Sequence, residues 1–327
     1  MKAIIPVAGS GTRLRPLTHS KPKALLYVGS KPIIVHIVSS LISLGCDSII
    51  LIISEDGTEI PACLNKYYPG MKIETIVQKD RLGLGHAVSL AQETVGNEEI
   101  LIVYGDTIID GDLSEISHCD VDGMIGVKEI ENPVNFGVVN VSNGLITEFE
   151  EKPAHPRSNL AIVGFNYFKN PDYLFECIYE IIRRNQKTKG EYQITDAFQL
   201  MVENGKKIKP LKIDNWFDCG TPESLITTNR FMLLHEKRDI KISGSVIDAP
   251  VFVHESAEVI DSILGPNVSV GEHAIIKSSI IKESIIGSRA KVSNALLVNS
   301  LIGDDAEVFD QKKTLIIGDN ASIHFYE

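Results

Sequence analysis

No aspartate or glutamate occurs in the first 46 residues, although the 327-residue chain carries 43 acidic against 32 basic residues and a formal net charge of −11. So acidic a chain is a poor partner for duplex nucleic acid or an anionic membrane surface. The acid-free segment nevertheless holds Lys2, Arg13, Arg15, Lys21, Lys23 and Lys31. A basic cluster inside an acidic protein points to a small polyanionic ligand. Cysteine is scarce and scattered: Cys46, Cys63, Cys119, Cys177 and Cys219 include no Cys-x-x-Cys pair. That excludes a disulfide framework and a zinc knuckle, and predicts a cytoplasmic protein. No apolar run approaches the ~20 residues of a membrane-spanning helix. The apolar start, Met1 to Gly11, is short and broken by Pro6 and glycines, so it does not read as a signal peptide. Both common nucleotide fingerprints are missing as well. A dinucleotide Gly-x-Gly-x-x-Gly starting at Gly9 would need glycine at Leu14, and no Gly-Lys-Ser/Thr follows.

What is present is an alternation of short aliphatic runs with longer helical stretches up to about residue 235. The spacing predicts strands over residues 2–7, 49–54, 72–77 and 100–104. Helices are predicted over 32–44, 60–67 and 86–95, the first with Ser30 as N-cap and Gly45 as its stop. Beyond residue 120 the pattern becomes hairpin-like: runs at 137–141 and 145–150 flank Ser142-Asn143-Gly144. A further run at 161–168 and helices near 172–184, 195–204 and 220–236 complete this part. The fold class predicted is α/β: a Rossmann-like, mostly parallel mixed sheet with flanking helices. Ligands bind such sheets at the carboxyl ends of the strands, here residues 9–15, 78–85 and 105–106.

From about residue 240 a shorter unit recurs. It starts at Val253, Val270, Ile286, Ile302 and Ile317 and closes on Ala257, Ala274, Ala290, Ala306 and Ala321. This is the pattern of a left-handed β-helix of hexapeptide repeats, in which the aliphatic residue fills the shaft and the glycine turns the corner. A boundary near 237–243 then separates a catalytic domain, 1–238, from a repeat domain, 239–327.

Three motifs carry chemistry. Gly9-Ser10-Gly11-Thr12-Arg13 offers backbone N–H groups to an anion, and Arg13 with Lys23 of Pro22-Lys23-Ala24-Leu25 brackets the loop with two cations. Asp106 follows Gly105 at a strand end, and Asp218 precedes Cys219-Gly220-Thr221. Each aspartate alone reads as a turn or cap residue. Beside a phosphate loop the pair fits Mg2+, which takes one or two carboxylates plus substrate phosphates.

At these motifs the chain resembles sugar-1-phosphate nucleotidyltransferases. The stretches 136–139, 150–153, 190–196 and 216–221 resemble glucose-1-phosphate thymidylyltransferases, and with the repeat tail the likeness is to the long form of that enzyme. The resemblance implies that Ala8, Gly9, Ser10, Gly11 and Thr12 cradle a nucleoside triphosphate. It implies catalytic roles for Arg13 and Lys23, and Mg2+ held by Asp106 and Asp218. Gln78 and Gly83 would read a pyrimidine base, while Gly137, Glu151, Lys152 and Ile162 would bind the hexose 1-phosphate. Departures are Pro6-Val7-Ala8 at the loop entrance, Thr107 after the aspartate and His86 after Gly85. They bear on base and sugar preference.

The chemistry needs no general base, because the sugar phosphate is already an anionic nucleophile; positioning and charge neutralisation suffice. dTTP and glucose 1-phosphate are the expected substrates, with UTP the closest rival. A non-catalytic regulatory paralogue would have lost one of Arg13, Lys23, Asp106 or Asp218, and all four are present. A hexapeptide acyltransferase would need a base, for which His254 and His273 are the candidates; an exposed coil position is the alternative reading of each. The repeat domain is expected to assemble the chain into a homo-oligomer.

Overall fold

A computed structural model describes residues 1–236 and 240–310. The chain divides into two compact units, with the division between Thr228 and Asn229. The linker expected at 237–243 begins on residues outside the described ones.

The first unit is built on one nine-stranded mixed sheet. Its strands are β1 (Lys2–Pro6), β2 (Ser48–Ile53), β3 (Lys72–Val77), β4 (Ile100–Val103), β5 (Gly123–Glu129), β6 (Val138–Ser142), β7 (Leu145–Glu150), β8 (Leu160–Phe168) and β9 (Ile208–Lys212). The order is β7-β6-β8-β4-β1-β2-β3, with β5 paired to β8 and β9 to β5. Strands β4, β1, β2 and β3 run parallel, and β8 is antiparallel to β4. Every residue of β2 and β4 is buried, as expected of parallel strands covered on both faces.

Helix α1 (Ile33–Ser43) starts later than the sequence suggests. Ser30 is not its cap but lies in the turn of a hairpin, Tyr27–Val28 with Lys31–Pro32. Pro32 flanks the helix instead, where a fixed φ and a missing N–H cost nothing. Gly45 ends the helix as expected, with φ +82° and its N–H on the Ile42 carbonyl. Helix α2 covers Glu59–Tyr67. The single helix expected over 86–95 is instead two, α3 (Leu84–Ser89) and α4 (Gln92–Val95). A tight turn separates them: the Ala91 N–H reaches the Val88 carbonyl and the Ser89 hydroxyl turns back on His86.

The hairpin of β6 and β7 closes on Asn143 (φ 51°) and Gly144 (φ 77°), the pair of positive angles a type I′ turn requires. In β8 the register with β5 slips between Ile162 and Asn166. Gly164 lies inside the slip with φ +78°, and a Cβ there would stand 2.3 Å from the Tyr104 ring. Helices α5 (Asp172–Arg183) and α6 (Ile194–Glu203) cover one face, where Phe168 and Phe198 pack with ring centroids 5.4 Å apart. Helix α7 spans Pro222–His235.

In the second unit three parallel four-stranded sheets stack into a β-helix of hexapeptide repeats. Val270, Ala274, Ile286 and Ala290 fill the shaft, at most 1% exposed. The corners differ from expectation. Apart from Gly244 (φ +79°), they are turned by left-handed residues other than glycine: Asp261, Asn267 and His273 in one coil, then Ser278, Glu283 and Arg289, then Asn294, Asn299 and Asp305. Gly271 and Gly287 serve close stacking instead. A Cβ on Gly271 would meet Ser288 N at 2.8 Å, and one on Gly287 would meet Gly303 C at 2.6 Å. The fifth repeat, at 317–321, lies outside the described residues. On one face the outward positions are apolar and in register: Val246, Ile263, Ile280 and Leu296, exposed by 59%, 38%, 38% and 70%.

Candidate active site

The carboxyl ends of β1, β3 and β4 open on one cavity of about 420 Å³. Ala8, Gly9, Ser10, Gly11, Thr12, Arg13, Lys23, Gln78, Gly83 and Asp106 all line it. The first loop leaves β1 and turns at Gly11, whose φ of +58° starts a short 3-10 turn over Thr12–Leu14. Leu14, 1% exposed, anchors that turn, and the Thr18 hydroxyl donates to the Gly11 carbonyl at 2.8 Å. A Cβ on Gly11 would lie 3.3 Å from Lys23 Cβ, so the two halves of the cationic bracket pack directly together. Gly9 has no atom within 4 Å of where its Cβ would be. Gly105 is the reverse: its Cβ would sit 2.3 Å from Val7, so glycine alone lets the end of β4 approach the end of β1.

The two aspartates arrive on a two-stranded ribbon, Thr107–Asp110 with Asn215–Asp218. Thr107 pairs with Asp218, and the Cys219 N–H donates to the Asp106 carbonyl at 2.9 Å, which puts both carboxylates at one end of the ribbon. Lys23 Nζ stands 2.6 Å from Asp106 Oδ2. Gly220 has its would-be Cβ within 3.0 Å of both Asp218 oxygens and 3.1 Å from Arg13 Nη2, so a guanidinium shares this corner. Burial, then the Asp106 charge, raises the Asp218 carboxyl above its ordinary range, against the opposing pull of Lys23 and Arg13. Burial likewise pushes the neighbouring Cys219 thiol up to about 12, so it is neutral and no nucleophile.

Among the described residues no three or more His, Cys, Asp and Glu side chains cluster as a complete metal cage. Two adjacent carboxylates, one of them destabilised as an anion by the other, suit a hard divalent ion completed by phosphate oxygens.

Gly137, Glu151, Lys152 and Ile162 do not line the cavity but gather in a second cluster. The would-be Cβ of Gly137 lies 3.1 Å from Ile162 Cδ1 and 3.2 Å from Glu151 Oε2. Glu151 accepts from the Thr195 hydroxyl at 2.9 Å and pairs with Lys152 Nζ at 3.3 Å. Tyr104 joins the two groups: it lines the cavity, and its phenol is raised by burial and then by the Glu151 charge. Sequence reasoning missed Arg81, Glu191 and Thr195. The last two lie in the stretch 190–196, where a family-like motif was visible without an assigned role. That segment holds the 83–85 loop: Gly85 N–H donates to the Tyr192 carbonyl at 2.8 Å, and Tyr192 N–H to the Leu82 carbonyl at 2.8 Å.

Residues 2–234 match the nucleotidyl transferase family, and residues 237–311 match the GlmU-like C-terminal hexapeptide family. The chain belongs to the nucleotidyl transferase family. It is similar to the glucose-1-phosphate thymidylyltransferase of Streptomyces antibioticus, 31% identical over 88% of this chain and 87% of that one. It is similar also to the UTP–glucose-1-phosphate uridylyltransferase of Haloferax volcanii, 31% identical over 68% of this chain and 93% of the other. A solved protein from Bacillus anthracis, provisionally named a glucose-1-phosphate thymidylyltransferase and carrying a sucrose, superposes with a TM-score of 0.63. It is 28% identical and covers 74% of this chain and 97% of its own. The fold expected from the sequence, and its resemblance to sugar-1-phosphate nucleotidyltransferases, are thus both met. No described helix is long and apolar enough to cross a membrane.

Proposed function

We propose that the protein transfers a thymidylyl group from dTTP to glucose 1-phosphate, giving dTDP-glucose and pyrophosphate. The observation that carries this reading is the grouping of Arg13 and Lys23 with Asp106 and Asp218 beside a glycine-rich turn. In this reading the backbone of residues 8–12 and the two cations hold the triphosphate. An oxygen of the sugar phosphate attacks the α-phosphorus, one P–O bond forms, and the bond to the departing pyrophosphate breaks. No proton has to move, since nucleophile and leaving group are both anions. Asp106 and Asp218 would hold Mg2+, which neutralises phosphate charge when bound. Lys23 and Arg13 offset charge gathering around the α-phosphorus, in a site already organised before substrate arrives.

Gln78 and Gly83 lie at the base end of the cavity in this reading. Gly137, Glu151, Lys152 and Ile162 form the hexose site, with Glu151 oriented by Thr195 to accept from sugar hydroxyls. UTP is the second reading, favoured by a uridylyltransferase relative that is also 31% identical, over 68% of this chain against 88% for the thymidylyltransferase one. Five free cysteines support a reducing compartment, and we assign the reaction to the cytoplasm. The apolar ladder of the β-helix supports assembly into a homo-oligomer through that unit. The deciding experiment is a pyrophosphate-release screen of five nucleoside triphosphates against glucose, mannose and N-acetylglucosamine 1-phosphates. Turnover confined to a purine triphosphate would overturn the base assignment, and no turnover with any pair would overturn the activity.

A further inference from the structure

Gln78 follows β3 directly, is 6% exposed and lines the cavity. Its Nε2 lies 3.3 Å from the Gly83 carbonyl oxygen and 3.1 Å from His86 Nδ1. A carbonyl can only accept, so the amide atom facing Gly83 must be the nitrogen. The same nitrogen then faces His86 Nδ1, which therefore accepts, leaving the ring proton on Nε2. Both amide hydrogens of Gln78 are engaged by protein. Oε1 has no protein donor among the described residues and is the atom left to meet a ligand.

An amide oxygen in that position selects for a base edge that donates. The N3–H imide of uracil or thymine does so; N3 of cytosine and N1 of adenine only accept. Flipping the amide would set Oε1 against the Gly83 carbonyl, and could keep the contact to His86 only if the ring proton moved from Nε2 to Nδ1. His86 does not line the cavity, so it acts on the base only through Gln78. Its own place is well defined. It sits on α3, whose start is held by Gly85 N–H on the Tyr192 carbonyl, and its carbonyl accepts from Ser89 Oγ at 2.8 Å. The Gly83 carbonyl is fixed too, by a φ of +114° with no room for a Cβ beside Tyr192.

We propose that His86 is a positioning residue that locks the Gln78 amide in the orientation selecting an imide-bearing pyrimidine. This rests on the reading of Gln78 as the residue that meets the base. Without His86, only the longer contact to Gly83 opposes the flip.

The test measures kcat and KM for UTP, dTTP and CTP with glucose 1-phosphate in the parent enzyme, His86→Leu and His86→Asn, with circular dichroism to verify folding. In His86→Leu, KM for UTP and dTTP should rise roughly tenfold, the size of one neutral hydrogen bond, with kcat nearly unchanged. The preference for UTP over CTP should shrink by about the same factor. The ratio of dTTP to UTP should stay as it was, since the 5-methyl group is remote from N3. His86→Asn should keep the parent discrimination, because its Oδ1 accepts where Nδ1 did. An unchanged UTP-to-CTP preference in folded His86→Leu would overturn the proposal alone. So would a folded His86→Asn that behaves as an enzyme with a free amide. A parent enzyme that prefers ATP, whose N1 only accepts, in the five-nucleotide screen would overturn both the proposal and the reading beneath it.

Discussion

Lys23 Nζ and Asp106 Oδ2 stand 2.6 Å apart, so a cation proposed to hold phosphate is joined to a carboxylate proposed to hold metal. Each half-satisfies the other before substrate arrives. Triphosphate with its cation then offers both a better partner: phosphate for the ammonium, Mg2+ for the carboxylate. Lys23→Ala should lower kcat/KM by about 2–4 kcal/mol, the usual range for a removed charge donor. It should also tighten Mn2+ binding in the absence of nucleotide, because Asp106 loses a competitor. Lys23→Arg should rescue poorly, since a planar fork replaces a point charge on one oxygen. Steady-state kinetics with calorimetric Mn2+ titration checks both halves. A Lys23→Ala enzyme at the parent rate would remove Lys23 from the reaction.

The pairing also explains how much of this site could be read from sequence. Arg13 and Lys23 stood out because no acid occurs near them in the chain, and their acidic partners come from Asp106 and Asp218, far along it. Sequence shows the shortage of local counter-charge but not which distant carboxylates supply it. Gly11 was legible as part of a loop open to an anion, and its left-handed φ turns that loop. Gly105 was not, because its need is a tertiary approach to Val7 and not a backbone angle. The same limit misread the β-helix corners: periodic glycine suggested a conformational role, while the contact of one coil on the next is what excludes a Cβ. The register slip of β8 on β5 was hidden for a related reason: inside it, the Tyr104 ring lies where a Cβ on Gly164 would stand.

Two glycines of the site should therefore respond oppositely to alanine. At Gly9 no protein atom meets the added methyl, so Gly9→Ala should stay within about 0.5 kcal/mol of parent stability. Its methyl enters the cavity, so KM for the triphosphate should rise. At Gly105 the methyl meets Val7 at 2.3 Å and the Pro6 carbonyl at 2.9 Å, and Gly105→Ala should cost about 1–3 kcal/mol. Urea denaturation of both variants decides it; a destabilised Gly9→Ala beside a neutral Gly105→Ala would contradict the packing described.

Asp218 makes a pH-dependent prediction. Its carboxyl is raised in the folded state by burial and by Asp106. The folded protein thus holds that proton more tightly than the unfolded chain. The resulting stabilisation is complete below the unfolded pKa of about 3.9 and is lost as pH rises through the folded value. At neutral pH, without metal, ionised Asp218 lowers stability. Asp218→Asn should accordingly raise Tm in chelator at about pH 7, and the advantage should fade on acidification. Adding Mg2+ with nucleotide should stabilise the parent more than Asp218→Asn, in which Asp106 alone is left to hold the metal. A variant less stable than the parent in chelator would show that Arg13 and Lys23 outweigh burial there.

Val246, Ile263, Ile280 and Leu296 point outward, one per coil, while Leu264 and Ile281 beside them point into the shaft at 0% exposure. A shaft residue is held by the coils above and below it. An outward one gains nothing from its own coil, so a run of four aliphatic residues in register raises exposed apolar area without an intramolecular return. Parallel coils give each copy the same ladder at the same spacing, and a closed symmetric assembly would bury these ladders together. Charge on the ladder should then break assembly without disturbing the shaft. The double variant Ile263→Lys with Ile280→Lys should remain folded, within about 1 kcal/mol of parent stability, as expected for outward positions. Its mass by light scattering should fall to that of a smaller species, most clearly at low ionic strength where like charges repel over longer distances. Neither residue belongs to the cavity or to the cluster around Glu151, so the rate of pyrophosphate release per chain should hold. An unchanged mass in the folded double variant would take this face out of the assembly, and a dissociated but inactive enzyme would mean that catalysis depends on the neighbouring copy.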